Sequence, residues 1–582
     1  MKYSEIQNIL NKADLKVLPK LNIVILRNIM IESMIPYIKY LALQIGFEAK
    51  IQLGEYDNIV QESLGFKKDL LAENTDSVLV FMKLDNLSWK LARNFASLNV
   101  KQIQEEIHRI RETIPHILNG IRKQTQGMIL WHSFEIPLYP SLGISDNQHS
   151  HGQTGVIQEL NNFLRESLAQ YPNAYLVDLN LSLSRIGAKS FYDQRYWHIG
   201  RAPYSLDALS EIATENFKFL RPLKGKNKKC LILDCDNVLW GGIIGEDGLK
   251  GIKLGKTHPG SAYYEFQEEI VNLYNRGILI ALCSKNNDPD VWDVFRNHPD
   301  MVLKDKNIVT SQINWEDKAT NIRKIAAHLN IGLDSLVFAD DSEFEINLVA
   351  QELPEVTVIH LPKEKSIEYK DILASCGFFD TLTISSEDRQ RGEMYKAEGL
   401  RKELQIKTSD LSSYLKSLEM EVEIKFADDF TIPRIAQLTQ KTNQFNLTTK
   451  RYSDADIKNL TVDKDTQVLN LRLIDKFGDS GIVGVCILKY KDEKAYLDSF
   501  LLSCRVLGRG VEDIFMIHAL KLAQQRRCKT FIGEYLPTTK NMQAKDFLFN
   551  QGFDQSTISY DLTQTLRNEP SFFKKVDSVV NL

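Results

Sequence analysis

The stretch Leu231–Gly248, LILDCDNVLWGGIIGEDG, sets two aspartates two residues apart at the end of an apolar run, then adds a tryptophan and four glycines. Asp234 and Asp236 at a strand end share one small space. Without a counter-ion their charges would repel by several kcal/mol in a low-dielectric pocket. The pair points to a divalent cation, a catalytic role, or both. Further polar positions follow in order: Ser284 ends an apolar run in "LCSKNN", Lys318 stands in the first turn of a helix in "NWEDK", and Asp340 and Asp341 end a run in "VFADD".

These groups need strands to carry them. The runs "CLILD" (230–234), "GILIALCS" (277–284), "SLVFAD" (335–340) and "VTVIHL" (356–361) alternate with helical patterns over 261–276 and 317–329. Such alternation predicts a doubly wound parallel sheet, in which ligands lie outside the carboxyl ends of the strands. This central α/β domain is expected over 223–384. Before it, "NIVILR" (22–27), "SVLVFMKL" (77–84), "GMILWHSF" (127–134) and "AYLVDLN" (174–180) predict another α/β domain over 1–222. After it, "SSEDRQRGEMYKAEGLRKEL" opens with a Ser-x-x-Asp helix start and leads into a mixed α+β pattern, giving a linker helix and a third domain over 385–582.

Composition narrows the function classes. The chain has 582 residues, 25% charged, with a formal charge of -4, so no electrostatic argument favours nucleic acid or a membrane surface. No apolar run reaches the roughly 20 residues that span a bilayer. The first 20 residues read as an amphipathic helix, not a secretory signal. Seven cysteines without ligand-like spacing read as free thiols of a cytoplasmic protein. His149 and His151 in "SDNQHSHGQ" have no third ligand nearby and read as a solvated loop.

In type, order and spacing, the aspartates, Ser284, Lys318 and Asp340/Asp341 resemble the four motifs of the haloacid-dehalogenase-like (HAD) phosphatase superfamily. The resemblance implies that Asp234 is the nucleophile, forming an aspartyl-phosphate, and that Asp236 is the acid and base. Ser284, Lys285, Asn286 and Lys318 would bind phosphate. Asp234, Asp236 (through its backbone carbonyl), Asp340 and Asp341 would hold Mg²⁺. A narrower resemblance rests on "DNVLWGGIIGEDG", "CSKNN", "EDRQRGEMY", "QLTQKTNQFNLTTKRYS" and "SCRVLGRGVE". These look like the FkbH-like family. That implies dephosphorylation of 1,3-bisphosphoglycerate and loading of its glyceryl unit as a thioester on a separate acyl carrier protein, for polyketide-like biosynthesis.

In the last domain, Arg505-Val-Leu-Gly508-Arg-Gly510 resembles the pyrophosphate loop of GNAT-type acyltransferases, where backbone N–H groups at a helix start cradle an anion. In an FkbH-like protein its guest is the phosphopantetheine arm, with Asn443 and Asn446 as further contacts. One end of the donor is an acyl phosphate, open to thiolate attack. Cys504, beside the loop and Arg505, is the favoured thiol. Cys283 beside Ser284 is the alternative, and direct acylation of the carrier thiol is a third route. The first domain resembles SGNH hydrolases in strand order but lacks a Gly-Asp-Ser after its first strand. Asp193 and His198 therefore read as structural, and the domain as non-catalytic. The competing function is a HAD-type small-molecule phosphatase joined to a separate acyl-CoA-dependent acyltransferase.

Overall fold

The computed structural model describes residues 2–580 apart from 68, 385, 409 and 539. It divides into two units, Met1–Arg221 and Pro222–Leu582. Ser385, expected to open the linker helix, lies outside the described residues.

The first unit is built on five parallel strands: β1 (Lys20–Arg27), β2 (Glu48–Tyr56), β3 (Ser77–Phe81), β4 (Met128–His132) and β5 (Ala174–Val177), in the order β2-β1-β3-β4-β5. β3 and β4 are buried along their whole length. They read as continuous apolar runs because helices cover both faces. The amphipathic start of the chain is a helix over Tyr3–Lys12. Just after β1, Asn28 latches two loops. Its Nδ2 donates to the Lys83 carbonyl at 3.0 Å and its Oδ1 accepts the Lys83 amide at 2.7 Å.

The second unit holds two sheets. The first has β6 (Cys230–Leu233), β7 (Leu279–Ser284), β8 (Ile308–Ile313), β9 (Leu336–Asp340) and β10 (Thr357–His360), all parallel, in the order β10-β9-β6-β7-β8. β6 is central, and β9 and β7 flank it. The ends of these three neighbours carry Asp340, Asp234 and Ser284, so a spacing of about 4.8 Å between strands brings the motif residues together. The second sheet is mixed: β11 (Glu421–Phe426), β12 (Thr466–Asp475), β13 (Gly478–Lys491), β14 (Lys494–Leu502), β15 (Thr530–Ile532), β16 (Ser559–Asp561) and β17 (Lys575–Ser578), ordered β16-β15-β14-β13-β12-β11-β17. The helix Val511–Gln525 packs Ile514, Phe515 and Ala519 into its core. The architecture is α/β throughout the first two sheets and α+β in the third.

The charged stretch expected as one helix over 385–404 is a short turn, Ser386–Arg389, followed by a helix over Arg391–Lys407. Tyr395 of that helix packs against the core of the β6 sheet, and Lys402 Nζ donates to the Ala327 carbonyl at 3.1 Å. This helix ties the third sheet to the second. It explains why the segments 223–384 and 385–582 form one compact unit.

Candidate active site

The carboxylate centre forms where β6 and β9 end. Lys318, first residue of the helix Lys318–Leu329, is held in place by Asp317, whose side chain caps that helix at the Thr320 amide (2.7 Å). Lys318 Nζ lies 3.0 Å from Asp234 Oδ2 and also bonds Asp340 Oδ2. Lys318, Asp234 and Asp340 are all buried. Burial by itself would push the Lys318 ammonium down, but the charges of Asp234 and Asp340 override it and hold the group protonated. Burial, reinforced by Asp234 and opposed by Lys318, raises Asp340 to about 7 and Asp341 to about 6.

Asp234, Asp340 and Asp341 each offer a carboxylate oxygen within 4.8 Å of the others. Asp234 Oδ1 is buried with no hydrogen-bond partner, an orphan acceptor that calls for a cation. An all-oxygen, three-carboxylate set fits a hard divalent ion such as Mg²⁺. The Asp236 carboxylate is not part of this group. It turns instead to three donors: Trp240 Nε1 (2.8 Å), the Ile244 amide (3.1 Å) and Asn286 Nδ2 (3.0 Å). Burial raises its pKa against these hydrogen bonds, as suits a group that must carry a proton. The tryptophan–glycine stretch thus has a local purpose. Trp240 is buried edge-on to Phe295 and aims its N–H at Asp236. Gly241 has no room for a Cβ, which would stand 2.8 Å from the Tyr263 ring, and Gly242 turns with φ 98°.

The other phosphate-binding candidates divide. Ser284 and Asn286 are buried and joined, Asn286 Nδ2 donating to Ser284 Oγ at 3.0 Å. Lys285 points elsewhere, its Nζ 2.6 Å from Glu345 Oε1, so its charge is taken by a neighbour.

A second constellation surrounds Cys504. A cavity of about 60 Å³ is lined by Cys504, Arg505 and Asn443, together with Lys229, Arg391, Tyr395, Arg434 and Lys441. Cys504 is half-buried, its Sγ 3.9 Å from the Tyr395 hydroxyl, and its carbonyl accepts Asn330 Nδ2 at 2.9 Å. Cys283 is fully buried, and burial pushes its thiol well up, which makes it a poor nucleophile.

Three residues expected around the carrier arm do not line this cavity. Gly508 and Gly510 have the positive φ values (76° and 71°) that their turn requires. The Gly508 amide, however, donates to Glu512 Oε1 at 3.2 Å, so the chain's own carboxylate sits where an anion was expected. A Cβ on Gly510 would meet the Phe572 ring at 2.5 Å. Asn446 is fully buried in a gap between strands. The Leu447 amide bonds the Phe500 carbonyl of β14 (3.0 Å) and the Leu536 amide beyond β15 bonds the Leu447 carbonyl (2.8 Å). The Asn446 side chain meanwhile holds the Thr442 carbonyl and the Thr449 amide.

In the first unit Asp193 caps the helix Gln194–Gly200 and pairs with Arg195, while His198 is exposed on that helix. His149 is exposed, and His151 Nδ1 lies 2.9 Å from Ser150 Oγ.

An Asp-x-Asp after the central strand, with the lysine and the second acidic pair around it, defines a HAD-type phosphatase domain. The chain resembles the N-terminal part of the protein BF1531 from Bacteroides fragilis, a structure containing a phosphatase domain complexed with Mg. Identity is 30% and the TM-score 0.59, over 66% of this chain and 100% of that one. The chain belongs to the same family as that phosphatase-domain protein. Two other solved structures align at lower scores. The ribosomal-protein-S18-alanine N-acetyltransferase of Escherichia coli is 15% identical (TM-score 0.19, 23% of this chain, 79% of that one). The lipase Lip_vut3 from a goat rumen metagenome is 11% identical (TM-score 0.26, 34% and 97%). No protein-family model and no curated protein matches the chain.

Proposed function

We propose that the protein is an FkbH-like, Mg²⁺-dependent enzyme that removes the ester phosphate of 1,3-bisphosphoglycerate and loads the glyceryl unit as a thioester on an acyl carrier protein. The observation that carries this reading is the presence, in one compact unit, of a complete phosphatase carboxylate centre and a half-buried thiol in a cationic cavity. In the carboxylate centre Asp234 attacks phosphorus, forming the aspartyl-phosphate as the substrate oxygen leaves. Asp236 gives that oxygen its proton and later takes one from the attacking water. Lys318, Ser284 and Asn286 hold the phosphoryl oxygens. The Mg²⁺ would be held by Asp234, Asp340, Asp341 and the Asp236 carbonyl, and when bound it neutralises charge on the phosphoryl group. Cys504 supplies the thiol that receives the acyl group before the carrier's pantetheine takes it. The protein then works in the cytoplasm, where both the donor and a reduced thiol are available.

Intact-protein mass spectrometry of a holo-carrier, incubated with the enzyme, Mg²⁺ and freshly generated 1,3-bisphosphoglycerate, tests this. A glyceryl-sized gain on the carrier that requires Cys504 is expected. Phosphate release with no gain on several carriers would leave a small-molecule phosphatase.

A further inference from the structure

Five cations line the cavity beside Cys504: Lys229, Arg391, Arg434, Lys441 and Arg505. Among the described residues the carboxylate that pairs with its lining is Asp388, held by Arg391 and by Lys441 (3.2 Å). Among the described residues, neither Lys229 nor Arg505 has a carboxylate within ion-pair reach. Arg505 is only 8% exposed, and its guanidinium bonds Ser503 Oγ (3.2 Å) and the Met394 sulfur. Burial pushes both the Lys229 ammonium and the Arg505 guanidinium down from their ordinary values. Lys229 is half-buried and Arg505 buried, and a buried cation with no carboxylate costs several kcal/mol unless an anion joins it. The volume suits a small anion. About 60 Å³ is several times the ~10–15 Å³ that one water needs. It falls far short of the roughly 300–1,000 Å³ of a cofactor-sized site.

The cavity is also remote from the carboxylates. It is lined by Lys229, just before β6, and Leu279, the first residue of β7. Asp234 and Ser284 stand at the opposite ends of those strands. Five residue steps from Lys229 to Asp234 span about 16 Å along the strand.

We propose that this cavity is a second phosphate site, independent of the Mg²⁺ centre, where Lys229, Arg505 and their cationic neighbours receive the phosphoryl group of an acyl phosphate while Cys504 takes the acyl group. The proposal rests on the acyl-transfer reading above. The Cys504 sulfur attacks the carbonyl carbon, a C–S bond forms, and the carbonyl C–O bond to phosphate breaks. The leaving phosphate keeps that electron pair and takes the thiol proton, so acyl phosphate and thiol become thioester and hydrogen phosphate. A three-carbon donor cannot reach both ends of β6 at once. Acylation and ester dephosphorylation are therefore separate visits, and the first needs neither Mg²⁺ nor Asp234.

The test is alkylation of Cys504 by iodoacetamide in the full chain, followed by peptide mass spectrometry in EDTA, with inorganic phosphate as the probe. Phosphate is expected to slow alkylation saturably, about fivefold or more, in the wild-type protein and equally in Asp234→Asn. Arg505→Gln and Lys229→Gln should each remove most of the protection, with circular dichroism and the Mg²⁺-induced rise in melting temperature showing that the variant folds. Acetyl phosphate should acetylate Cys504 in Mg²⁺-free Asp234→Asn protein. Protection no greater than that given by chloride at matched ionic strength, or lost in Asp234→Asn, would overturn the proposal. So would phosphopantetheine protecting Cys504 while acetyl phosphate leaves no adduct, which would give the cavity to the carrier arm. Protection and acetylation without any carrier loading would keep the site and remove the carrier reading. Carrier loading without protection would do the reverse.

Discussion

The two ends of β6 solve opposite electrostatic problems. At its carboxyl end, carboxylates outnumber the single buried lysine, and Asp340 and Asp341 are raised to about 7 and 6. At its amino end, five cations line a cavity beside a thiol. Each imbalance marks the missing partner: a divalent cation at one end and a phosphate-sized anion at the other. A stable core has little reason to keep either imbalance, so charge left unbalanced in burial points to the ligand.

The largest expected effect comes from removing the Lys318 cation from the carboxylate end. Lys318→Met should lower phosphate release by about 10²–10³-fold or more and leave Cys504 alkylation in EDTA unchanged. If both change together, the ends of β6 are not independent. Next is Trp240→Phe, which keeps the ring but deletes the donor to Asp236. Phosphate release should fall about tenfold, with the alkaline limb of its pH profile, where Asp236 loses the proton it donates, moved to higher pH because the Trp240 hydrogen bond no longer favours its ionised form. An unmoved profile would mean that Trp240 only packs.

The metal response sharpens the comparison further. Protons compete for Asp340 and Asp341 below about 7 and 6, so Mg²⁺ affinity falls as pH falls. The rise in melting temperature on adding Mg²⁺ should be larger at pH 8 than at pH 5, and absent in Asp340→Asn. An equal rise at both pH values would contradict a carboxylate site. By contrast, phosphate protection of Cys504 should not need the metal at any pH.

A smaller effect tests the first unit. His132 is buried, and burial lowers its pKa from 6.5 to about 4. Its Nδ1 lies 2.9 Å from the Val80 carbonyl and its Nε2 3.0 Å from Asn216 Nδ2. Because the folded value is depressed, the unfolded chain binds the proton first. The neutral ring's contribution, about 3 kcal/mol at most, is full above pH 6.5 and is lost as pH falls through 4. Hydrogen exchange of peptides spanning β4 should therefore quicken between pH 6.5 and 4, after correction for intrinsic rates. His132→Phe should flatten that dependence.

The legibility of the fold followed burial. Central strands such as β3, β6 and β7 read as continuous apolar runs because both faces are covered. The edge strands β2 (EAKIQLGEY) and β8 (IVTSQI) have partly exposed, mixed faces and gave no such run. The short strands β15, β16 and β17 are three or four residues long, too short for a period to show. At the carboxylate end Asp234, Ser284, Lys318, Asp340 and Asp341 were legible, since each follows a strand or opens a helix. Lys285 carried the right motif position, but its charge goes to Glu345, 60 positions away in the chain.

The sequence by itself determined the strand–helix alternation and the acidic and basic residues at strand ends, because these depend on neighbours a few residues apart, and the family resemblance of those motifs added the phosphatase chemistry. Only the tertiary structure decided which charges come together. Lys229, Arg391, Arg434, Lys441 and Arg505 are scattered over nearly three hundred residues and belong to no local pattern, and they line one cavity because the helices Arg391–Lys407 and Ile432–Lys441 and the turn Cys504–Val506 after β14 come together at the amino end of β6. Asn446 and Gly508 were drawn the other way: partners distant in the chain or one helical turn on, Leu501 and Glu512, closed the spaces their residue types suggested for a ligand. Local sequence fixes what a residue can do. Desolvation and charge balance, which depend on the whole packed unit, fix whether a ligand is needed to do it.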